Sequence, residues 1–325
     1  TGPAGDTRPA RILIVGPAPL GGPASLKMTR RRRRVPQGEK EGNRMEEQQY
    51  AIEMRGICKS FGSVAANNNI NLNVKSGEIL ALLGENGSGK TTLMNMLSGI
   101  YKPDSGTILV DGQEVAINSP EDAKKLGIGM VHQHFKLVDV FSAADNIWLG
   151  DDKSGLVLKK ERYGVIRDMA RKFGFDIDPR KKVYNMAVSE KQTLEIVKVL
   201  YYGAKIIILD EPTAVLTVQE TARLFDVLRR MKVEGHAIII ITHKLNEVLE
   251  ISDRVAILRK GEYITTVDTS STNEQQLTEF MVGRKVELNI DRPVVDKTRP
   301  LLEIRDLTIK NDEGAVAIDK VNFYI

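Results

Sequence analysis

Residues 84–92 read GENGSGKTT, and residues 206–212 read IIILDEP. The first stretch fits G-x-x-x-x-G-K-[ST] from Gly84 to Thr91, the pattern of a phosphate-binding loop. Glycines in such a loop let backbone N–H groups turn inward around phosphate oxygens. Lys90 adds a point charge at the β/γ oxygens, and Thr91 offers a hydroxyl to Mg²⁺. The second stretch places a carboxylate, Asp210, at the end of an apolar run, where it can hold the same ion directly or through water. Glu211 follows and can polarise an attacking water. The flanks agree with this reading. EILALLG is a strand-like run ending in Gly84, and TTLMNMLSGI has helical apolar spacing. The expected order is strand, loop, helix.

Working outward, the 325 residues are 42% hydrophobic and 28% charged, which is ordinary globular composition and room for one large domain or two small ones. The longest apolar stretches, near 206–209 and 237–241, have strand length and fall far short of the ~18 residues of a membrane span. Contact with a membrane is therefore expected only through a partner. Cys58 is the single cysteine, so no internal disulfide exists and a reducing compartment is expected. Four histidines and one cysteine form no ligand cluster in sequence, and the expected metal is nucleotide-bound Mg²⁺. The net charge of +4 is unevenly spread. Residues 1–44 hold ten Lys/Arg against three acids, including the run Arg30 to Arg34, so the remainder is −3. The basic character belongs to this leader, which reads as disordered sequence. Lys40-Glu41-Gly42 is what a ribosome-binding sequence gives when translated, and Met45 is expected to be the start.

From Met45 to about 83 the pattern is strand-rich, and helices and strands then alternate as in an α/β fold. Residues 158–174 and 188–202 are expected to be helical, within a mainly helical insertion between the two phosphate elements. Runs at 206–209, 237–241 and 255–258 are expected to be buried parallel strands. The end of the chain repeats its beginning. LEIRDLTIK at 302–310 matches IEMRGICKS at 52–60, and VNFYI at 321–325 matches INLNV at 70–74, at an offset of about 250 residues. The expected organisation is one domain over 50–283, a linker at 284–300 with Pro293 and Pro300, and the start of a second domain over 301–325.

Three further residues fall where a nucleotide-hydrolysing site needs them. Gln133, in GMVHQHF, begins a loop after the strand-like GIGMV and can reach Mg²⁺ and the attacking water. His243, in IIIITHKL, lies just past a buried strand, at the end where a γ-phosphate is contacted. Phe61, 23 residues before Gly84, is placed to stack on adenine.

In their order and spacing these residues resemble the ATP-binding subunits of ABC transporters, over about 50–283. The resemblance implies a P-loop NTPase (RecA-like) core with an N-terminal antiparallel β subdomain and an inserted α-helical subdomain. It implies ATP and Mg²⁺ as cofactors. By that resemblance Gly84, Glu85, Asn86, Gly87, Ser88, Gly89, Lys90, Thr91 and Thr92 form the Walker A loop, and Phe61 stacks on adenine. Thr91, Gln133 and Asp210 hold the metal, while Glu211, His243 and Gln133 serve hydrolysis. The signature segment is Met186, Ala187, Val188, Ser189 and Glu190, where the family carries LSGGQ. Ala187 stands in place of the serine that bonds the γ-phosphate of a facing domain's ATP, and Thr217, in AVLT at 214–217, replaces the usual D-loop aspartate. Both departures weaken the composite site completed by a second domain's Walker A.

Within the family, EPTAVLT and MVHQHFKLVDVFSAADNIWLG resemble importers of nucleosides and simple sugars, and His134-Phe135 leans to the nucleoside branch. The implied partners are membrane permease subunits, indirectly an extracytoplasmic solute-binding protein, and a second nucleotide-binding domain from the chain's own C-terminal half or a homodimer. No nucleic-acid partner is expected. The implied place is the cytoplasmic face of the plasma membrane, as a peripheral protein. A soluble tandem ATPase acting on ribosomes carries a long charged helical insert between halves, and 284–300 is short. A chromosome or DNA-repair ATPase needs a very long insertion after Gln133, and only about 50 residues precede the signature. The 325 residues alone are expected to bind Mg-ATP but to turn it over poorly.

Overall fold

The computed structural model describes residues 50–149, 159–285, 301–311 and 313–325. The expectations for the leader, and for the linker beyond Lys285, lie outside the described residues.

The chain enters an antiparallel hairpin, β1 (Tyr50–Phe61) and β2 (Val64–Lys75). Strand β3 (Ile79–Leu83) then dives into the centre of the molecule, with all five residues buried, and helix α1 (Lys90–Leu97) leaves the phosphate loop. Strands β4 (Ser105–Val110) and β5 (Gln113–Val115) join the first hairpin in a four-stranded antiparallel sheet of order β2-β1-β4-β5. Helix α2 (Pro120–Lys125) starts where Ser119 caps it and Pro120 fits its first turn. Strand β6 (Ile128–Val131) returns to the centre.

A helical layer follows: α3 (Ala143–Trp148), α4 (Lys159–Lys172) and α5 (Val188–Tyr201). Beyond it, β7 (Ile206–Asp210), α6 (Val218–Val233), β8 (Ala237–Ile241), α7 (Leu245–Ile251), β9 (Arg254–Arg259), β10 (Glu262–Asp268) and α8 (Glu274–Val282) complete the core. The central sheet has the order β10-β9-β3-β8-β7-β6, parallel except for the antiparallel edge strand β10. The fold class, a P-loop NTPase core with an antiparallel β layer and a helical insertion, is as expected.

The continuous apolar runs are explained by the two faces they serve. Leu80, Leu82, Ile206, Ile208, Ile239 and Ile241 point to one face, against α1 and the inner side of the antiparallel sheet. Their neighbours Ile79, Ile207, Leu209, Ile238 and Ile240 point to the other, against α6, Ile196 and Leu200. A parallel strand covered on both faces has no polar side to show. Each fully buried Ile or Leu contributes about 1.5–3 kcal/mol of apolar transfer. Helix α5 divides its apolar residues in the same way. Ile196 and Leu200 face the central sheet, whereas Leu194 and Val197 pack with Ile147 of α3 and Ile166 of α4. It is the shared wall between core and helical layer.

The terminal hairpin, β11 (Glu303–Lys310) and β12 (Val316–Tyr324), repeats an irregularity of the first. In β1, Gly56 sits at φ 62° and donates its N–H to Asn71 Oδ1 at 2.9 Å, while Asn71 Nδ2 donates to the carbonyl of Asn69, itself at φ 52°. In β11, Asp306 sits at φ 47° and donates to Asn322 Oδ1 at 2.8 Å, and Asn322 Nδ2 donates to Lys320, at φ 48°. Generic strand alternation does not produce the same bulge bridged by the same asparagine.

Candidate functional site: a phosphate-binding cavity at the strand ends

Strands β3, β8, β7 and β6 are successive neighbours in the sheet, and the four motifs leave their carboxyl ends side by side. In the chain those motifs stand at 84, 243, 210 and 133; only the strand order brings them together. This edge of an open α/β sheet is where such folds bind ligands. Here the whole run Gly84–Thr92 lines a cavity of about 640 Å³ with Gln133, Asp210, Glu211 and His243.

Two of the loop's glycines stand where the backbone is crowded. A Cβ on Gly84 would sit 2.2 Å from the Leu258 carbonyl oxygen. Gly89 caps α1 at φ 96°, and a Cβ there would lie 2.2 Å from the carbonyl oxygen of Ala66. Asn67, almost fully buried, holds the same turn by donating Nδ2 to the Gly89 carbonyl at 3.2 Å. Lys90 is buried and folds back on its own loop, donating to the carbonyls of Gly84 at 2.8 Å and Glu85 at 3.0 Å. Burial pulls its pKa below the ordinary value, while Glu211 and then Asp210 push it back up. The same burial, followed by repulsion from Glu211, raises Asp210, against attraction from Lys90 and a hydrogen bond from Thr91.

Glu211 follows β7 in a left-handed backbone, φ 49°, locked by its N–H donating to the Ile241 carbonyl at 2.9 Å. Its Oε1 pairs with His243 Nδ1 at 2.9 Å. Its Oε2 is buried and has no hydrogen-bond partner among the described residues. An unpaired buried carboxylate oxygen is expensive unless something else bonds it. Lys244 ties the ends of β7 and β8 together, donating to the carbonyl of Thr213 at 2.9 Å and to Glu247 at 3.0 Å, while Thr213 itself donates to Glu247.

The donor set suits a magnesium–triphosphate. The backbone cradle and Lys90 match phosphate oxygens. The Thr91 hydroxyl, the Asp210 carboxylate and the Gln133 amide, all lining the cavity, offer hard oxygen atoms of the kind Mg²⁺ takes while keeping several waters.

Two predicted groups stand apart from this cavity. Phe61, at the end of β1, does not line it; the ring is 44% exposed and meets Tyr101 edge-on at 5.2 Å. Val64, Ala65 and Ala66 line the cavity nearby. The signature residues are also separate. Ala187 is the exposed N-cap of α5, and Ser189 and Glu190 line another cavity, of about 470 Å³, between α5 and α6. Glu190 reaches back to accept from the Ala187 N–H at 2.7 Å, half of a capping box that an alanine cannot complete. The D-loop replacement Thr217 caps α6 through Glu220, and Glu220 also takes a hydrogen bond from Ser189. Sequence reading missed Asn67, Tyr101, Thr213 and Lys244. The triple Asn67–Asn69, unusual within a strand, was a signal for the first; the others carry none.

Residues 67–214 match the family described as ABC transporter. The guanosine import ATP-binding protein NupO of Bacillus subtilis is 47% identical over 82% of this chain and 52% of its own length. The nucleoside import ATP-binding protein NupA of Lactococcus lactis is 42% identical, over 82% and 53%. The galactose/methyl galactoside import ATP-binding protein MglA of Fusobacterium nucleatum is 39% identical, over 82% and 54%. The chain spans about half the length of these curated relatives. Among solved structures, cbiO1 of Clostridium perfringens, part of the cbiONQ transporter complex, superposes with TM-score 0.61 at 29% identity, over 69% of this chain and 90% of that one. An ABC transporter cassette in its ADP conformation gives 0.65 at 21% identity, over 72% and 99%, which speaks to fold alone.

Proposed function

Because the chain belongs to the ATP-binding cassettes of ABC transporters, we propose that it binds and hydrolyses ATP as the motor subunit of an importer for nucleosides or simple sugars. The observation that carries the ATPase reading is the convergence of Lys90, Asp210, Glu211, Gln133 and His243 on one cavity at four adjacent strand ends. Backbone N–H groups of the loop and the Lys90 ammonium bind and orient the triphosphate. For that, Lys90 exchanges two carbonyl partners for phosphate oxygens. Thr91, Asp210 and Gln133 would hold Mg²⁺, which supplies charge neutralisation at the phosphate oxygens. Glu211 Oε2 is the free acceptor for a water proton, and His243 fixes the carboxylate through Oε1. Phe61 and Tyr101 offer an aromatic platform for the base.

The signature residues Ala187–Glu190 lie outside the chain's own nucleotide cavity. They serve the nucleotide of a facing cassette, with the Ala187 site the weaker one. The repeated bulge of β11–β12 supports a second domain of the same kind as the facing partner. The guanosine and nucleoside import of NupO and NupA, together with His134-Phe135, favours nucleosides over hexoses. The proposed setting is peripheral, on permease subunits at the cytoplasmic face of the membrane, with solute delivered by an extracytoplasmic binding protein; no helix among the described residues is long and apolar enough to cross a membrane. The test is ATP-dependent uptake of guanosine and of galactose into vesicles carrying the protein with its permease subunits. Guanosine uptake that stops when Lys90 is replaced supports the reading; uptake of neither solute refutes the solute class.

A further inference from the structure

Asn67 stands where the pattern of its strand calls for an apolar residue. The buried positions of β2 are Asn67, Ile70, Leu72 and Val74, and the last three pack in the main core. Asn67 is 1% exposed and carries an amide into that row. The Gly89 carbonyl can only accept, so the Asn67 NH₂ faces it, at 3.2 Å, and Oδ1 points elsewhere. That oxygen is buried and has no hydrogen-bond partner among the described residues. Asn146, also buried, shows the contrast. Its Oδ1 accepts from the Val138 N–H at 2.7 Å, and its Nδ2 donates to the carbonyls of Val138 and Ser142 at 3.0 and 3.1 Å. A leucine at 67, of nearly the same shape, avoids the cost of an orphaned oxygen, so the amide is a poor choice for packing alone.

We propose that Asn67 is a positioning residue for the triphosphate: its amide holds the Gly89–Lys90 peptide from behind and presents the Lys90 N–H as a phosphate donor. A trans peptide is planar and points its C=O and its N–H in opposite directions. Two consecutive peptides of the loop are held by their carbonyls. Gly261 donates to the Ser88 carbonyl at 3.2 Å, which turns the Gly89 N–H away from Gly261. Asn67 Nδ2 and the Leu93 N–H, at 2.9 Å, share the Gly89 carbonyl, which turns the Lys90 N–H away from both. Neither the Gly89 nor the Lys90 N–H has an acceptor among the described residues, and both residues line the nucleotide cavity. Donation to a carbonyl also polarises its peptide, so the Lys90 N–H becomes a stronger donor. The proposal rests on the reading of the cavity as an Mg-ATP site.

Competition of Mg-ATP and of magnesium tripolyphosphate against a fluorescent ATP, on the 325-residue chain, tests it, with a thermal scan of each variant free of nucleotide. Asn67→Leu keeps the shape and removes both the donor and the orphaned oxygen. It is expected to weaken both ligands by the same factor, about tenfold, because the base plays no part. Its thermal midpoint is expected to stay at or above that of wild type. Wild-type affinity in this variant overturns the proposal, and so does a loss confined to ATP. Asn67→Ala removes the donor without adding apolar bulk and carries the test if the leucine variant fails to fold. Its comparison is Ile70→Ala, in the same buried row but with no donor to lose. Asn67→Ala is expected to lose about tenfold in tripolyphosphate affinity, and Ile70→Ala to stay within about threefold although its thermal midpoint falls further. Equal losses in the two overturn the proposal, since packing then accounts for both. A wild-type chain that binds neither ligand refutes the reading of the cavity itself; wild-type binding with unaffected variants refutes the role of Asn67 alone.

Discussion

Replacing Glu211 by Gln is expected to separate binding from hydrolysis. The substitution leaves Oε1 in place, so the contact with His243 at 2.9 Å survives as a neutral hydrogen bond. What changes is the buried position of Oε2, which has no partner and becomes an NH₂ group unable to take a proton. Loss of a positioned base typically lowers a rate about 10²–10⁴-fold, equivalent to ~2.7–5.5 kcal/mol of barrier. Binding moves the other way. Glu211 raises the Asp210 pKa by repulsion, so a neutral residue at 211 leaves Asp210 a better Mg²⁺ ligand and takes negative charge away from the triphosphate. ATP affinity is expected to be equal or slightly tighter. The assay pairs steady-state phosphate release by the protein with its permease subunits and fluorescence titration with a labelled ATP. Turnover within about threefold of wild type refutes the assignment and moves the base to His243.

Lys90→Ala is expected to abolish measurable ATP affinity in the same titration; wild-type affinity sinks the phosphate-loop reading. Ala187→Ser is expected to strengthen ATP-driven closure onto a facing cassette about 10- to 150-fold, the worth of a charge-assisted hydrogen bond, seen as a lower ATP concentration for half-maximal dimerisation. Glu195→Gln is expected to raise the thermal midpoint at neutral pH. A carboxyl whose folded pKa lies above its unfolded value favours folding most below the unfolded value and loses that contribution as pH rises through the folded one. The variant's advantage is therefore expected to vanish on acidification to about pH 3, below the unfolded value, where both side chains are neutral; thermal scans at the two pH values read it.

The phosphate loop and the buried strands were legible because they are local. Ile79–Leu83, Ile206–Leu209 and Ala237–Ile241 announce themselves as short unbroken apolar runs, and Gly84 to Thr91 announces its chemistry by spacing. The helices α4 and α5 came from periodicity, within a residue or two of their ends. The fasteners were not legible. Glu195 meets Lys136 across 59 positions, Lys244 meets Thr213 across 31, and Arg254 meets Glu78 across 176. Each is a pairing that only strand order and helix packing create, and a lone Glu within VKVL-type helical sequence reads as one more surface charge. Phe61 shows the converse. Its distance from Gly84 pointed to the cavity, yet its ring rests on Tyr101, a residue that follows α1 and looks like ordinary loop sequence.

The left-handed backbone at Glu211 sets stability against activity at one position. An L-residue other than Gly or Asn held at φ 49° costs about 1–2 kcal/mol. Glycine at 211 relieves that strain and also removes the buried, unpartnered Oε2. Heat resistance and turnover thus rank the substitutions at 211 in opposite orders. Directed evolution under thermal challenge alone is expected to drift to Gly or Asn there and, on the proposed role of Glu211, to deliver a sturdier protein that holds ATP without consuming it.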